Sequence, residues 1–231
     1  VPDSWFPPLK GASVLCLASG GGQPGPILAA AGARVTVLDN SPRPLARDRE
    51  VAAREALEIE LALGDMTDLT RFEDESFDAV YSAHTLYHIA DRASQEAAFG
   101  EIVRVLRDGG VAVLIVANAY PVLFPVQLVK RLVAATPILA RAAVAAGRTG
   151  PVPYKPLSMR TMRRFLEPHG AVDMVGAGIP TVAFNQRVTE HRGLGKWAWH
   201  AILWLETGHP KLAARLGPHV QITFVKGATP T

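Results

Sequence analysis

The sequence predicts an α/β fold in which helices cover a doubly wound, mostly parallel sheet. Two observations support this prediction. Short apolar runs alternate with helical stretches four times within the first 116 residues, and such alternation is typical of parallel strands joined by helical crossovers. The first apolar run also ends on Gly20, Gly21 and Gly22, a pattern that makes a tight strand-to-helix turn.

The predicted elements follow one another in the order that such a sheet requires. Apolar and β-branched runs predict strands over 14–17, 34–39, 59–66, 76–82 and 111–116. Helical periodicity with glycine stops predicts helices over 26–32, 45–57 and 92–106. A capped helix over 158–170 and two late strands over 171–178 and 220–226 complete the pattern.

The second half also contains stretches that do not follow this alternation. Residues 121–147 predict two apolar helical pieces and residues 151–156 a proline-rich linker. Trp197, Trp199 and Trp204 lie in a helical insert, where their spacing favours a core stripe, with a hydrophobic substrate wall as the alternative. With 231 residues and 48% hydrophobic composition, we expect one domain over 1–231.

Composition narrows the classes of function. Cys16 is the single cysteine of the chain, which excludes a disulfide framework and favours a reducing, cytoplasmic setting. A net charge of +3 without long Lys/Arg blocks predicts no nucleic-acid partner. Residues 121–147 contain three basic residues and Pro137, so we expect a lid or core there and no stable membrane insertion. The start of the chain has no secretory pattern.

Acidic residues follow the predicted strands at the edge where ligands of open α/β sheets bind. Asp39 ends the second strand about 20 residues beyond the first glycine, where a carboxylate can accept hydrogen bonds from both hydroxyls of a ribose. Asp65 follows the third strand and can accept from the exocyclic amine of adenine, while Met66 packs on the ring. Both acids can also be simple turn or cap residues. Together with the glycine turn they predict an adenosine site.

Five segments in order carry a resemblance to a known family: "VLCLASGGG", "VTVLDNS", "GDMTDL", "SFDAVYSAHTLYHIAD" and "IVRVLRDGGVAVLI". Over residues 10–118 the chain resembles the class I S-adenosylmethionine-dependent methyltransferases. The resemblance implies a Rossmann-like sheet of seven strands whose last strand is antiparallel. It also implies helical insertions over 119–157 and 181–218 on the substrate side, with residues 10–118 as the cofactor-binding core.

The resemblance further implies S-adenosyl-L-methionine as cofactor and S-adenosyl-L-homocysteine as product. The cofactor-binding residues that it implies are Ala18, Ser19, Gly20, Gly22, Asp39, Asn40, Asp65, Met66 and Ala83. Two features depart from the family pattern, because an acid is common at the position of Cys16 and a glycine at that of Ala18. A helical cap that usually precedes the first strand is also missing before the early glycines, so it has been lost from these residues or other segments cover the site.

His84 and His88 are the catalytic candidates. They stand four residues apart after the fourth strand, so on a helical turn they would share a face. We predict no metal site, since the pair lacks a third ligand. One histidine at the mouth of the site can act as general base or orient the acceptor; the alternative is that both cap the turn or pack on the cofactor.

The sequence thus predicts methyl transfer to a small, partly apolar molecule by in-line displacement. Two alternatives remain. An NAD-dependent oxidoreductase would use the same glycine turn and the same acid after the second strand. A protein of this fold could also bind the cofactor, or have lost it, without methyltransferase activity.

Overall fold

The computed structural model describes residues 8–18, 20–119, 153–176, 200 and 203–229. The predicted helical pieces over 121–147, the predicted site residue Ser19, and Trp197 and Trp199 lie outside these described residues.

Seven strands form one sheet in the order β3-β2-β1-β4-β5-β7-β6. They are β1 (Ser13–Leu17), β2 (Arg34–Asp39), β3 (Ile59–Leu63), β4 (Phe77–Ala83), β5 (Leu106–Ala117), β6 (Gly170–Gly176) and β7 (His219–Lys226). The first five strands pair in parallel, whereas β7 runs antiparallel to both β5 and β6. The predicted seven-stranded, mostly parallel sheet with a final antiparallel strand is therefore confirmed.

The helices lie between these strands along the chain. They are α1 (Pro24–Ala30), α2 (Pro42–Arg54), α3 (Arg92–Val105), α4 (Met159–Leu166) and α5 (Pro210–Leu216), with short 3₁₀ turns at Leu86–His88 and Glu167–His169. Local chemistry sets where two of them begin, because Asp91 accepts a hydrogen bond from the Ser94 backbone N–H and Ser158 accepts one from that of Thr161.

Strand β1 lies between β2 and β4 in the sheet and contributes residues to both hydrophobic cores. Leu15 and Leu17 pack in the core that includes residues of α3 and α4, and Val14 and Cys16 pack in the core that includes residues of α1 and α2. This division follows the two-residue side-chain period of a strand. Because both faces of β1 are covered, its sequence is a continuous apolar run.

The start of β5 differs from the prediction. The strand begins at Leu106 and not at residue 111, because Leu106 pairs with Phe77 before the register shifts and Val111 pairs with Ala79. Gly109 adopts a positive φ of 75° inside this irregular stretch. The glycine pair that predicted a helix end therefore lies within a bulged strand.

Parts of the predicted substrate-side insertions belong to the core. Leu157 is buried and bridges to Asn118 at the end of β5, and Ala213 of α5 lies against Gly176 of β6. Trp204, by contrast, is 62% exposed, so for this tryptophan the predicted core stripe is wrong. Within the described residues, no helix has the length and apolarity to cross a membrane.

Candidate functional site

Two adjoining cavities lie at the carboxyl ends of the parallel strands. The larger, here the β2–β3 cavity, has a volume of about 610 Å³, and the residues used below that line it are Ala18, Gly20, Asp39, Asn40, Asp65, Met66 and His88. The smaller, here the α1 cavity, has a volume of about 450 Å³ and is lined by residues that include Ala18, Gly20, Ile27, Ala83, His84 and Ile115. Ala18 and Gly20 line both cavities, so the glycine turn lies between them.

Asp39 ends β2 and lies in the wall of the β2–β3 cavity. It is only 5% exposed, and its Oδ1 accepts a hydrogen bond from the Ser41 N–H over 2.9 Å. Burial raises the pKa of this carboxyl above its ordinary value, and the nearby charge of Asp48 acts in the same direction, while the Ser41 hydrogen bond opposes them. A buried carboxylate that is only partly satisfied can accept hydrogen bonds from ligand hydroxyls.

Asp65 lies across the same cavity, directly after Gly64 beyond β3. Its Oδ1 accepts hydrogen bonds from both the backbone N–H and the hydroxyl of Thr67, each over 2.9 Å. These bonds form the turn that the sequence offered as the alternative role for this acid. They engage Oδ1, so the turn fixes the orientation of this carboxyl group in the cavity wall.

The three glycines of the turn differ in the space around them, and this difference indicates which of them can face a ligand. Gly20, Gly21 and Gly22 all have positive φ, at 68°, 91° and 82°. Around Gly20 there is open space, whereas a Cβ on Gly21 or Gly22 would lie 3.1 Å from a side-chain carbon of α2. Gly20 lines both cavities, but Gly22 lines neither of them and packs against α2. The predicted cofactor contact of Gly22 is thus not supported by its position.

Ala18 adopts the backbone conformation that the family's usual glycine would favour. Its φ is 53°, and its N–H donates to the Leu38 carbonyl over 2.7 Å. Left-handed φ is uncommon for a residue with a Cβ and tends to occur at functional sites. Alanine in place of the glycine that is common in the resembled family therefore adds a methyl group at the cavity wall and keeps the backbone conformation of the turn.

The tautomer of His88 follows from its hydrogen bond. Its Nδ1 lies 2.8 Å from the Pro153 carbonyl oxygen, and because a carbonyl only accepts, Nδ1 carries the proton and Nε2 is the acceptor nitrogen. Buried Gln95 holds the two segments together by donating to the carbonyls of Leu86 and Lys155. His88 is therefore positioned at the β2–β3 cavity as a hydrogen-bond acceptor.

His84 occupies a different position from the one predicted. Its φ is 61°, and it precedes the 3₁₀ turn that contains His88, so the two rings do not share a helical face. His84 lines the α1 cavity and His88 the β2–β3 cavity. Desolvation, with a smaller contribution from His88, lowers the pKa of His84, which favours a neutral ring at neutral pH.

His219 is a candidate that sequence reasoning missed. As the first residue of β7 it pairs with Ala117, and its ring centroid lies 4.8 Å from that of His84. Desolvation, with a contribution from His84, lowers the pKa of His219 to about 4. The ring of Tyr87 lies 6.4 Å from both histidines. Only the antiparallel pairing of β7 with β5 brings His219 to this edge, and no spacing in the sequence signals it.

The described residues contain no group of three or more side chains arranged to hold a metal ion. Of the predicted site residues that the structure describes, Ala18, Gly20, Asp39, Asn40, Asp65, Met66 and His88 line the β2–β3 cavity, and Ala83 and His84 line the α1 cavity.

Residues 15–114 match the family model of a methyltransferase domain. The chain is 46% identical over 130 residues to the uncharacterized methyltransferase YbaJ of Bacillus subtilis strain 168, a match that covers 55% of this chain and 49% of that protein. It is 36% identical over 124 residues to a demethylmenaquinone methyltransferase of Clavibacter sepedonicus, covering 54% of this chain and 47% of that protein. The chain thus spans about half the length of these curated relatives.

Among solved structures, a SAM-dependent methyltransferase from Methanosarcina mazei superposes with a TM-score of 0.65. The match covers 99% of this chain and 96% of the other at 15% sequence identity. At this identity the similarity establishes the fold.

Proposed function

We propose that the chain is a class I S-adenosylmethionine-dependent methyltransferase that transfers a methyl group to a small, partly apolar acceptor. The proposal is supported by the match of residues 15–114 to the family model of a methyltransferase domain and by the fold. One observation carries the proposal: Asp39, Asp65 and the open side of Gly20 line one cavity at the carboxyl edge of the sheet. The cavity volume of about 610 Å³ lies within the range of about 300–1,000 Å³ that is typical of small-molecule sites.

The residues present fit the cofactor of this family. In our proposal Asp39 accepts hydrogen bonds from the ribose hydroxyls, Asp65 accepts one from the adenine amine, and Met66 and Asn40 lie beside the base. Ala18 and Gly20 would lie along the methionine part, with Ala83 at its far end, and Ser19 remains a prediction from the sequence. When bound, S-adenosylmethionine supplies an electrophilic methyl group on its sulfonium sulfur.

The α1 cavity and the histidines beside it are the proposed acceptor side. Ile27 and Ile115 give this cavity an apolar wall, which supports a partly apolar acceptor, as does the name of the demethylmenaquinone methyltransferase among the relatives. In-line displacement disperses charge, so orientation and exclusion of water provide most of the rate. Where the acceptor atom starts protonated, neutral His84 at the α1 cavity can take the proton, and His88, which lines the adjoining β2–β3 cavity, is the alternative base.

The decisive experiment is titration calorimetry of the purified protein with S-adenosylmethionine, S-adenosylhomocysteine and NAD. We expect binding of the first two and none of NAD; tight NAD binding would favour the oxidoreductase instead. Turnover is then measured with a panel of acceptors that includes quinols, phenols and amines. Binding without turnover of any acceptor would favour a protein of this fold that lacks methyltransferase activity. We also propose a cytoplasmic location, supported by the unpaired, buried thiol of Cys16.

A further inference from the structure

The glycine turn rests on helix α2 on the side away from the cavities. A Cβ on Gly21 would lie 3.2 Å from Pro44 Cα and 3.1 Å from Arg47 Cδ, and one on Gly22 would lie 3.1 Å from Val51 Cγ2. Contacts of this length are tighter than ordinary van der Waals contacts, so a side chain at either position would displace neighbouring atoms of α2. Two of the three consecutive glycines are thus explained by packing against protein, and the shape of the turn depends on what α2 presents to it.

Helix α2 presents a buried carboxyl group. Asp48 is 0% exposed, and its Oδ1 accepts a hydrogen bond from the Gly22 N–H over 2.9 Å. A buried carboxylate needs hydrogen-bond donors, and the Gly22 N–H is one of them. The Asp48 Oδ1 would also lie 3.5 Å from a Cβ on Gly25, so the Asp48 carboxyl group lies beneath both ends of the turn into α1.

The charge of Asp48 acts on groups near the cavities. It contributes, after burial, to the raised pKa of Cys16 in β1 and of Asp39 in the wall of the β2–β3 cavity. Cys16 is the position at which the resembled family commonly has an acid. The negative charge missing from β1 is therefore present nearby on a different element of the fold.

We propose that Asp48 is a positioning residue for the cofactor: it holds the glycine turn in shape from beneath and supplies the negative charge that favours a positively charged ligand above the turn. The inference rests on the proposed function. S-adenosylmethionine carries a sulfonium and an ammonium group against one carboxylate, whereas S-adenosylhomocysteine has lost the sulfonium charge. A buried charge near the turn must therefore stabilise the first more than the second.

The test compares Asp48→Asn with Asp48→Ala, and with Glu50→Gln as a matched control on the exposed side of α2. Asparagine keeps an oxygen that can accept from the Gly22 N–H, removes the charge and places an NH₂ group where the second carboxylate oxygen was. By calorimetry near neutral pH we expect Asp48→Asn to weaken S-adenosylmethionine binding about tenfold and S-adenosylhomocysteine binding about threefold or less, with no change for Glu50→Gln. Asp48→Ala should weaken both ligands about tenfold or more, because the Gly22 N–H loses its acceptor.

A second variant protects the test against loss of folding. In Cys16→Asp/Asp48→Ala the carboxylate returns to β1, and we expect recovery of the preference for S-adenosylmethionine over S-adenosylhomocysteine relative to Asp48→Ala. An equal loss for both ligands in Asp48→Asn would overturn the charge role, and unchanged binding in Asp48→Ala would overturn the positioning role. Failure of the unaltered protein to bind either ligand would instead overturn the proposed function.

Discussion

Asp39 is the residue at which the proposed function is tested most directly. Its carboxylate is buried and engaged by one hydrogen bond from Ser41, so the Asp39→Asn change removes charge-assisted bonds to a ribose without creating a cavity. Because hydrogen bonds to charged groups contribute about 1.5–3 kcal/mol each, we expect S-adenosylmethionine affinity to fall about 10- to 100-fold by calorimetry. Asp173→Asn, an exposed change on β6, should leave the affinity unaltered. Equal affinities of the two variants would remove Asp39 from the site.

The same carboxyl predicts how cofactor binding depends on pH. Burial raises the pKa of Asp39 above the ordinary value of 3.8, and donors from a ribose would lower it. The ligand then prefers the ionised form, so affinity should be highest above the raised pKa, fall as pH decreases through it, and level off below the pKa of the complex. Calorimetry from neutral pH down to about pH 4 measures this, and Asp39→Asn should flatten the profile. A profile of the same shape in the variant would assign the proton to another group.

His219 predicts that the stability of the folded protein also decreases as the pH falls. Its pKa is lowered to about 4 from 6.5, so the unfolded state binds the proton more readily. The contribution to stability is fully present above pH 6.5 and is lost as pH falls from 6.5 towards 4. The His219 ring is partly exposed, which reduces the effect. On acidification through this range we expect the free energy of unfolding of His219→Asn to decrease by about 1–2 kcal/mol less than that of the unaltered protein, measured by urea unfolding. Exposed His169→Asn should retain the full loss.

Sequence reasoning located Asp39 and Asp65 because each follows a strand of its own, so local pattern and sheet geometry suffice. It could not find His219 or Asp48. His219 reaches the site only through the pairing of β7 with β5. Asp48 lies in the middle of a charged helix whose neighbouring residues are exposed, and nothing in the sequence distinguishes a carboxylate that turns inward.

At the scale of elements, Gln95 joins α3 to the turn that carries His88. Its side-chain amide donates to the buried Leu86 carbonyl over 3.1 Å and to the Lys155 carbonyl over 2.9 Å. Gln95→Ala leaves both carbonyls without this donor, so we expect a loss of about 2–3 kcal/mol in the free energy of unfolding. Urea unfolding measures this free energy, and Glu96→Ala, at an exposed position of the same helix, is the control. A loss below about 0.5 kcal/mol would mean that other contacts hold the turn.

Two glycines predict opposite effects of the same substitution. Gly100 lies inside α3 with nothing within 4 Å of the position that a Cβ would take, whereas a Cβ on Gly25 in α1 would lie 2.7 Å from Val37 Cγ2. Gly100→Ala should therefore stabilise the protein by about 0.5–1 kcal/mol. Gly25→Ala should destabilise it by about 1–3 kcal/mol through overpacking between helix and strand. Thermal unfolding of the pair checks both signs, and stabilisation by Gly25→Ala would show that α1 can shift.

Element boundaries were predicted least well where two glycines could serve either of two roles. Gly109 and Gly110 follow a helical stretch and have the chemistry of a helix stop. In the fold the chain has already left α3 at Val105, because Leu106 pairs with Phe77 in the sheet. Such pairing is a tertiary interaction, so local propensity could not separate the two roles.

At the scale of the whole molecule, the order of the strands brings distant residues together. Asp39, Asp65 and His88 come from three successive units of the chain, and the parallel arrangement of β1 to β5 brings them to one edge of the sheet. The sequence predicted this architecture because four strand-to-helix alternations leave few topologies available. The covering of the acceptor side depends on packing between segments, which hydrophobic patterning does not specify.

The buried position of Cys16 provides a probe of the whole fold. This single cysteine is 0% exposed in β1, an interior strand of the sheet, and burial raises its pKa, so a thiol reagent should react only when the sheet opens. Where opening is rapid and reversible, the labelling rate reports the unfolding equilibrium. A ligand that binds only the folded state lowers this rate by the factor 1 + [L]/Kd, so S-adenosylmethionine at 100 times its Kd should slow labelling about 100-fold.

NAD at the same concentration should leave the rate unchanged, and protein unfolded in urea should label at the rate of a free thiol with or without either ligand. If labelling of the folded protein were fast and insensitive to S-adenosylmethionine, Cys16 would be reached by local opening of β1, and this interior strand would be less stable than its complete burial implies.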